Sequence, residues 1–396
     1  MSYESPVLTA LRDGGPQAVR EFWERLETLG TPLVEEDPAD PAYRQVTFVW
    51  RDDQKEPADD VVVLLHTVTD KDRHAGDLTP HAMRRVEGTD VWALAYRLRA
   101  DHRASYQFHV ARGPRSETLG THRAAWLRTL DGAVPDPLNR GALLPGDGRR
   151  QGASVLELPD APAQMTYEDG EDRTVEAEVS GRRVYVHRPS RPGPHPVAVL
   201  LDGEVWGPRL GFGRALDAAV DQGLLPPMVT VMVDTMGRDA RVRDLSCSGA
   251  FVDWLADVLL PWVRAEFGAT HDPRRTVIAG QSAGGLTAAF AGFRRPERFG
   301  NVLSQSGSFW WPDDTEFDAG SEWLTRQYAI TERRPVRFHL EVGLQEWMLL
   351  AQNRHLRNVL EAKGYEVTYR EFNGGHDYAC WRVGLLDGLV GLAKGW

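Results

Sequence analysis

The residues best placed to do chemistry are a serine and its small neighbours at residues 280–284, which read Gly-Gln-Ser-Ala-Gly. A strand-like apolar run precedes them and a helix-like run follows. A G-x-S-x-G sequence in that setting holds its serine on a strained turn at the end of a sheet, and the helix N-terminus favours developing negative charge. We therefore predict that Ser282 is a nucleophile. The alternative is a glycine-rich turn in which the serine only caps the helix.

A serine nucleophile needs a base, and the expected chain order for this motif is serine, acid, histidine. His376 lies in "FNGGHDYACW", just after a predicted strand, whereas His355 lies inside a helical run where a surface role is expected. We therefore predict that His376 is the base. The alternative is a turn histidine that binds the backbone.

The acid that would orient the histidine has two candidates in "LEVGLQEWM" (340–348). Glu341 lies within the predicted strand and Glu346 lies in the loop after it, so we favour Glu346, because orienting acids occur in such loops. Asp377 is adjacent to the histidine and is poorly placed to orient its ring. A serine–histidine pair without an essential acid remains open.

An ester-cleaving serine also needs two backbone N–H groups that bind the oxyanion. Ala283, the residue after the nucleophile, supplies one of them in this motif. The loop that follows the apolar strand in "LLDGEVWG" (200–207) is expected to supply the other, from Gly203 or Glu204. The alternative is a simple turn at a strand end.

Beyond about residue 165, strand-like and helix-like segments alternate. Strands are predicted at 195–203, 228–234, 275–280, 301–307, 336–343 and 366–372, after a hairpin at 173–189. This alternation predicts a mostly parallel sheet with helices on both faces. Loops at the carboxyl ends of such strands carry functional groups, and the candidates above lie in those loops.

The N-terminal part has a different pattern. Residues 15–30 predict an amphipathic helix. The segments 45–51, 61–68, 91–99 and 105–112 predict strands with no ordinary helix between them, and hence a small β-sandwich. Residues 131–154 are rich in Pro, Gly, Asp and Arg and are interpreted as a linker or a wrapping segment. The predicted division is therefore 1–150 and 151–396.

The whole chain has 396 residues and a formal net charge of −11. This charge argues against general nucleic-acid binding. The sequence shows no secretory signal and no apolar run long enough to span a membrane. Cys247 and Cys380 are too few for a disulfide framework. These features predict a cytoplasmic protein.

Several stretches resemble the enterochelin (enterobactin) esterase family. They are "LLDGEVW" (200–206), "GQSAGGL" (280–286), "RRPERFGNVLSQSGSFWWP" (294–312), "GGHDYACWRVGLLDGL" (374–389), "DPLN" (136–139) and "SVLELPDAP" (154–162). The resemblance implies an α/β-hydrolase fold preceded by a small immunoglobulin-like β-sandwich. It also implies a cytoplasmic serine esterase that opens the trilactone of a catecholate siderophore. By resemblance, Ser282 is the nucleophile, His376 the base, Glu346 the acid and Arg241 an arginine near the site.

Such a substrate would need aromatic surfaces and cations, since its ferric complex carries a charge of −3. Guanidinium groups stack on aromatic rings and attract the charge. Any single arginine in the same loops can equally be a solvated surface residue. The candidate binding residues in these loops are Arg241, Arg243, Arg382, Trp206, Trp310, Trp347 and Trp381. The enzyme itself is expected to need no metal or cofactor, because iron would arrive with the small-molecule substrate. The sequence does not indicate an oligomeric state.

Two rival functions remain open. The first is a general carboxylesterase or acyltransferase of the esterase-D-like group, which would not need the loops bearing tryptophan and arginine. The second is a carbohydrate-linked esterase in which the N-terminal β domain is a binding module. On that view the protein could also be a binding module attached to a degenerate hydrolase, but the presence of both a candidate nucleophile and a candidate base argues against this.

Overall fold

The structure is a computed structural model that describes residues 5–53, 55–112, 123–147, 149–164, 172–190, 193–312 and 322–396. The chain divides into two compact units. The first, here called the N-terminal unit, comprises the chain up to Pro162 together with Asn373–Cys380. The second, the C-terminal unit, comprises Ala163–Phe372 together with Trp381–Trp396.

The N-terminal unit begins with a helix and continues largely as strands. Its helices are α1 (Pro6–Leu29), α2 (His66–His74) and α3 (Arg123–Asp131). Its strands are β1 (Leu33–Glu36), β2 (Tyr43–Arg51), β3 (Asp60–Leu65), β4 (Arg84–Arg85), β5 (Val91–Arg99), β6 (Arg103–Ala111), β7 (Leu143–Leu144) and β8 (Ala153–Glu157).

In the described residues of this unit, the strands form two antiparallel sheets with the orders β1-β2-β5-β4 and β3-β6-β8-β7. Their inner faces share one apolar core, in which Phe48 of β2 contacts Tyr106 of β6 edge to face with ring centroids 4.9 Å apart. Two antiparallel sheets packed over a common core constitute a β-sandwich. This architecture agrees with the sandwich that the strand pattern predicts.

The N-terminal unit differs from the sequence prediction in its helices. The predicted strand 61–68 ends at Leu65, and α2 follows it directly. Thr67 and Thr69 resemble strand residues, but both are buried in the helix, where the Thr69 hydroxyl donates to the Leu65 carbonyl over 3.0 Å. Helix α1 starts earlier than residue 15, and Gly15 interrupts it with a φ of 60°.

The N-terminal unit also extends beyond the predicted boundary at residue 150. Strand β8 pairs with β6, so the chain leaves this unit only after Pro162. The segment 131–154 wraps against the sandwich, since the Asp136 carboxylate accepts hydrogen bonds from Thr31 and Tyr106, each over 2.8 Å. The wrapping interpretation of that segment therefore describes it better than a linker does.

The C-terminal unit is built on a single sheet. Its strands are β9 (Thr174–Val179), β10 (Arg182–His187), β11 (Val197–Leu201), β12 (Val229–Val233), β13 (Thr276–Gln281), β14 (Asn301–Gln305), β15 (Arg337–Gly343) and β16 (Glu366–Phe372). Within the described residues, the order is β16-β15-β14-β13-β11-β12-β10-β9. All neighbouring pairs from β16 to β12 in this order are parallel. Strand β10 pairs antiparallel with both β12 and β9. The strands agree closely with those predicted from the apolar runs.

Helices cover both faces of this sheet. They are α4 (Phe212–Asp221), α5 (Arg238–Asp244), α6 (Gly249–Trp254), α7 (Leu260–Phe267), α8 (Ala283–Arg294), α9 (Trp323–Ile330), α10 (Leu350–Ala362) and α11 (Tyr378–Leu392). A Cβ atom at Gly292 of α8 would lie 2.6 Å from Val302, and one at Gly388 of α11 would lie 2.6 Å from Leu303. Because adjacent strand residues point to opposite faces, α8 and α11 pack on opposite sides of β14.

Three non-glycine residues with positive φ follow directly on neighbouring strands of this sheet. Asp202, Ser282 and Ser306 have φ of 57°, 58° and 51° and follow β11, β13 and β14. Left-handed backbone is costly for such residues and is found mainly where function requires it. Parallel strands end at the same edge of a sheet, so these three turns define the edge where the site is built.

Candidate active site

Ser282 forms the turn between β13 and α8. Its φ of 58° and ψ of −122° lie outside the ordinary regions for a residue with a side chain. The turn depends on Gly280, since a Cβ there would lie 2.5 Å from the carbonyl of Gly284. The Ser282 side chain makes no capping hydrogen bond to α8, and the residue is partly exposed. The geometry therefore favours the nucleophile interpretation over the helix cap.

The hydroxyl of Ser282 has a neighbour that the sequence analysis missed. Ser308 places its hydroxyl oxygen 3.3 Å from that of Ser282, and its amide donates to the Ser282 carbonyl over 3.0 Å. The Ser282 amide in turn donates to the carbonyl of Gln305. Ser308 is only 6% exposed. The only signal in the sequence is its place in the loop after β14, in "SQSGSF", which by itself is too common to assign a role.

The loop after β11 is held in a single conformation by its surroundings. A Cβ at Gly203 would lie 2.3 Å from the backbone of Met232, so only glycine fits there. The Glu204 carboxylate accepts hydrogen bonds from the amide and hydroxyl of Thr235. Burial raises the pKa of Glu204, although these hydrogen bonds act in the opposite direction. The loop is thus rigid, as donors of an oxyanion hole need to be.

Arg241 of α5 is attached to the same loop. Its Nε and one terminal nitrogen donate to the two carboxylate oxygens of Asp202 over 2.5 and 3.0 Å. Asp202 is buried, while the Arg241 side chain is 32% exposed. The Arg241 side chain therefore keeps part of its surface exposed beside the loop. Arg243 is instead engaged by Asp244, which raises the pKa of the Arg243 side chain.

Both candidate acids are buried in the C-terminal unit. Glu346 accepts hydrogen bonds from the Ser306 hydroxyl and, over 2.8 Å, from the Gly343 amide. Glu341 accepts one from the Gln305 side chain over 2.5 Å. It also packs against α11, where a Cβ at Gly384 would lie 2.0 Å from a carboxylate oxygen. Glu341 is therefore enclosed within the sheet and helix packing, whereas Glu346 lies in the loop after β15.

A buried chain of hydrogen bonds runs across the strands beneath this edge. The indole of Trp206 donates to the side-chain oxygen of Gln281 over 2.9 Å, and Gln281 donates to Gln305 over 2.6 Å. Gln305 donates to Glu341 and to the carbonyl of Trp381. Gln281, Gln305 and Glu341 occupy the same register on β13, β14 and β15. Such a satisfied buried network holds the ends of these strands in a fixed arrangement.

His376 lies four residues beyond the end of β16, in the segment 373–380 of the N-terminal unit. Its side chain is exposed, although the residues beside it are buried. The other histidine considered, His355, lies on α10 and pairs with the Glu322 carboxylate over 3.0 Å at the surface. This contact agrees with the surface role expected for His355.

The comparisons with known proteins also divide the chain near residue 165, although the second match includes the segment 373–380. Residues 45–167 match the family described as "Enterochelin esterase, N-terminal", and residues 179–392 match the family described as "Putative esterase". The iron(III) enterobactin esterase of Dickeya dadantii is 33% identical over 96% of this chain and 94% of that protein. The iron(III) salmochelin esterase of Escherichia coli is 32% identical over 95% of this chain and 93% of that protein.

The chain belongs to the enterobactin esterase family. Solved structures of the family support this assignment and the α/β-hydrolase-like fold of the C-terminal unit. The ferric enterobactin esterase of Salmonella typhimurium has a TM-score of 0.80 and 33% identity, over 94% of this chain and 98% of that one. The enterobactin esterase of Shigella flexneri, determined in the presence of enterobactin, has a TM-score of 0.78 and 32% identity, over 94% and 97%.

The predicted binding residues of this family member divide into a buried group and a partly exposed group. Trp206 is fully buried and Trp381 nearly so; the Trp381 indole donates to the Ser306 hydroxyl over 2.9 Å. Their burial argues for a supporting role in place of the predicted contact with substrate. Trp347 is 47% exposed, and Trp310 and Arg382 are partly exposed. These three, like Arg241, keep surface that a ligand can contact.

Neither a metal-binding cluster nor a membrane-spanning helix occurs among the described residues. Within those ranges, no group of three or more His, Cys, Asp or Glu side chains is arranged to hold a metal ion. In the same part of the chain, no helix combines the length and the apolar character needed to cross a bilayer.

Proposed function

We propose that this protein is a serine esterase that hydrolyses the trilactone ester bonds of an enterobactin-like catecholate siderophore, ferric or iron-free, and so releases its iron. The observation that carries the proposal is the strained turn at Ser282, which holds a partly exposed hydroxyl at the carboxyl edge of a parallel sheet. Relatives named enterobactin and salmochelin esterases, which align along almost the whole chain, support the substrate class.

In the proposed reaction, His376 takes the proton of the Ser282 hydroxyl, and the serine oxygen attacks a lactone carbonyl. The amides of Ala283 and of Gly203 or Glu204 stabilise the oxyanion. His376 then protonates the departing hydroxyl of the neighbouring substrate serine, which opens the ring and leaves an ester on Ser282. His376 next activates water, which hydrolyses that ester. Glu346 is the proposed orienting acid.

The proposed substrate surface consists of the exposed cations and rings near the loops of the C-terminal unit. Arg241, Arg243 and Arg382 would attract the charge of the ferric complex, while Trp310 and Trp347 would pack against catechol rings. No resident metal or cofactor is proposed, because the iron is part of the substrate. We further propose a cytoplasmic location and an immunoglobulin-like topology for the N-terminal sandwich.

The test is chromatography of the products formed from ferric and iron-free enterobactin by the wild-type protein and the variants Ser282→Ala and His376→Ala. We expect ring-opened trimer and shorter products from the wild type, and losses of activity of at least about 10³-fold in both variants. Unchanged hydrolysis by Ser282→Ala would exclude this mechanism. Cleavage of a short p-nitrophenyl ester with none of enterobactin would favour a general carboxylesterase.

A further inference from the structure

The segment 373–380 shows an unusual pattern of exposure. Asn373, both glycines that follow it and Asp377 are buried, yet the His376 side chain between them is exposed. A segment with two adjacent glycines has high conformational entropy, and ordering it requires compensating contacts. In this structure, strand β6 and the start of α2 supply such contacts.

Strand β6 holds the segment at both of its ends. The Arg103 amide donates to the Asn373 carbonyl over 3.4 Å, and the Cys380 thiol contacts the Arg103 carbonyl over 3.3 Å. Between these contacts, the Ser105 amide donates to Oδ2 of Asp377 over 2.5 Å. The other carboxylate oxygen of Asp377 accepts from the Ala379 amide over 2.9 Å, at the start of α11. Asp377 therefore joins the helix start to β6.

A second group of contacts fixes the first half of the segment. The His102 ring accepts from the Thr67 hydroxyl at Nε2, over 2.9 Å, and faces the side-chain oxygen of Asn373 at Nδ1, over 3.3 Å. Asn373 in turn donates to the Asp101 carboxylate over 2.7 Å. Burial lowers the pKa of His102, so its ring is neutral near pH 7. A proton on Nδ1 then satisfies both contacts.

Gly375 lies directly against the start of α2. A Cβ at this position would lie 3.1 Å from the Cα and Cβ atoms of Thr67. Its φ lies outside the left-handed region, so alanine there would be opposed by this close approach rather than by backbone strain. The surface formed by Thr67 and β6 thus determines where the residue after Gly375 is placed.

We infer that Asp377 and the surface of Thr67 and β6, which lie with His376 in the N-terminal unit, position the imidazole of His376. Asp377 acts as a positioning residue, since its two carboxylate oxygens accept hydrogen bonds from the backbone amides of Ser105 and Ala379. This inference rests on the proposed function, since it takes His376 as the base. A displacement of about 1 Å in such a group can lower a rate by roughly 10²-fold.

The first test is Asp377→Ser in the full-length chain. Serine keeps an acceptor for the Ala379 amide but is too short to reach the Ser105 amide, so the variant removes mainly the link to β6. We expect kcat for iron-free enterobactin to fall by about tenfold to 10²-fold, with KM changed by less than about threefold. The rate of Ser282 labelling by a fluorophosphonate should fall in parallel, because that reaction needs the activated serine.

The matched control is Asp37→Ala. Asp37 is a buried carboxylate of the same unit that also accepts two backbone amides, from Ala39 and Asp40, each over 2.9 Å. It makes none of the contacts of the segment 373–380 described above. Thermal denaturation compares the loss of stability in the two variants. A loss of kcat in Asp37→Ala equal to that in Asp377→Ser would assign the effect to stability and overturn the inference.

Gly375→Ala is an independent test that does not remove a charge. It should displace the segment from Thr67 and lower kcat and the labelling rate while KM stays nearly constant. Gly132→Ala is its control, because a Cβ there meets its nearest neighbour, the Arg128 carbonyl, at an ordinary 3.7 Å. Wild-type kcat and labelling in both Asp377→Ser and Gly375→Ala would overturn the inference.

The two levels of proposal fail in different ways. If His376→Ala is inactive while Asp377→Ser and Gly375→Ala behave as wild type, the proposed function stands and the positioning role is excluded. If His376→Ala keeps wild-type turnover and labelling, the proposed base is excluded, and the inference about its position is excluded with it.

Discussion

The hydroxyl oxygens of Ser282 and Ser308 lie 3.3 Å apart, within hydrogen-bonding distance. The same two residues are joined through the backbone, where the Ser308 amide donates to the Ser282 carbonyl. The strained turn is therefore fixed by contacts from the loop after β14, in addition to its own glycines. This relationship gives Ser308 a direct contact with the proposed reacting atom.

We expect Ser308→Ala to lower kcat by about threefold to tenfold, because a hydrogen bond worth about 0.5–1.5 kcal/mol no longer restrains the Ser282 hydroxyl. KM should change less. Steady-state kinetics with iron-free enterobactin measures both constants. Ser246→Ala removes a hydroxyl that bonds the Val242 carbonyl elsewhere in the same unit and should leave both unchanged. An unchanged or increased kcat in Ser308→Ala would contradict this role.

Arg241 lies next to the loop after β11 and is paired with the buried Asp202, so its charge and its geometry need separate tests. We expect Arg241→Ala to raise KM for ferric enterobactin by at least about tenfold, the loss typical of a charge-assisted contact. For a neutral ester the rise in KM should be much smaller. Equal effects on the two substrates would argue against a role in binding the ferric complex.

Arg241→Lys is the informative companion. Lysine keeps the positive charge but cannot make the bidentate contact with Asp202. If attraction of the anionic substrate dominates, this variant should restore most of the KM for the ferric complex. If the fixed loop geometry dominates, kcat should be low in both Arg241→Ala and Arg241→Lys, with both substrates. Parallel measurement of kcat and KM on the two substrates separates these contributions.

The sequence predicts local features of this protein well and long-range packing poorly. Strands β11 to β15 are buried apolar runs flanked by turn residues, so their positions follow from local pattern, and the turn at Ser282 follows from its glycines. The predicted strand 61–68 is wrong at its C-terminal end, where α2 begins, because tertiary contacts such as the burial of Thr67 outweigh β propensity. Pattern alone also cannot reveal that Trp206 donates inward to Gln281.

The segment that contains His376 shows the same limit at the site itself. Its sequence identifies a histidine after a strand, on a Gly-Gly turn, which suffices to nominate a base. Its contact with β6 joins residues that are more than 270 positions apart, such as Ser105 and Asp377. No local periodicity encodes such a pair, so the role inferred for Asp377 depends on the three-dimensional structure.

The last prediction concerns pH and stability. Three histidines that are at most 2% exposed, His81, His102 and His187, have pKa values lowered chiefly by burial. In the unfolded chain their pKa returns to about 6.5, so the unfolded state binds protons that the folded state does not. Their contribution to stability is therefore fully present above about pH 6.5 and is lost as the pH falls towards 5.

We expect the midpoint temperature of unfolding to decrease as the pH is lowered from 7 to 5. Each histidine lowers the free energy of unfolding by up to about 1.4 kcal/mol per pH unit. His187→Gln isolates one of these contributions, since glutamine can still donate to Asp217, which lies 3.0 Å from the ring Nε2. The variant should show a shallower dependence on pH than the wild type. An equally steep dependence in His187→Gln would contradict the prediction.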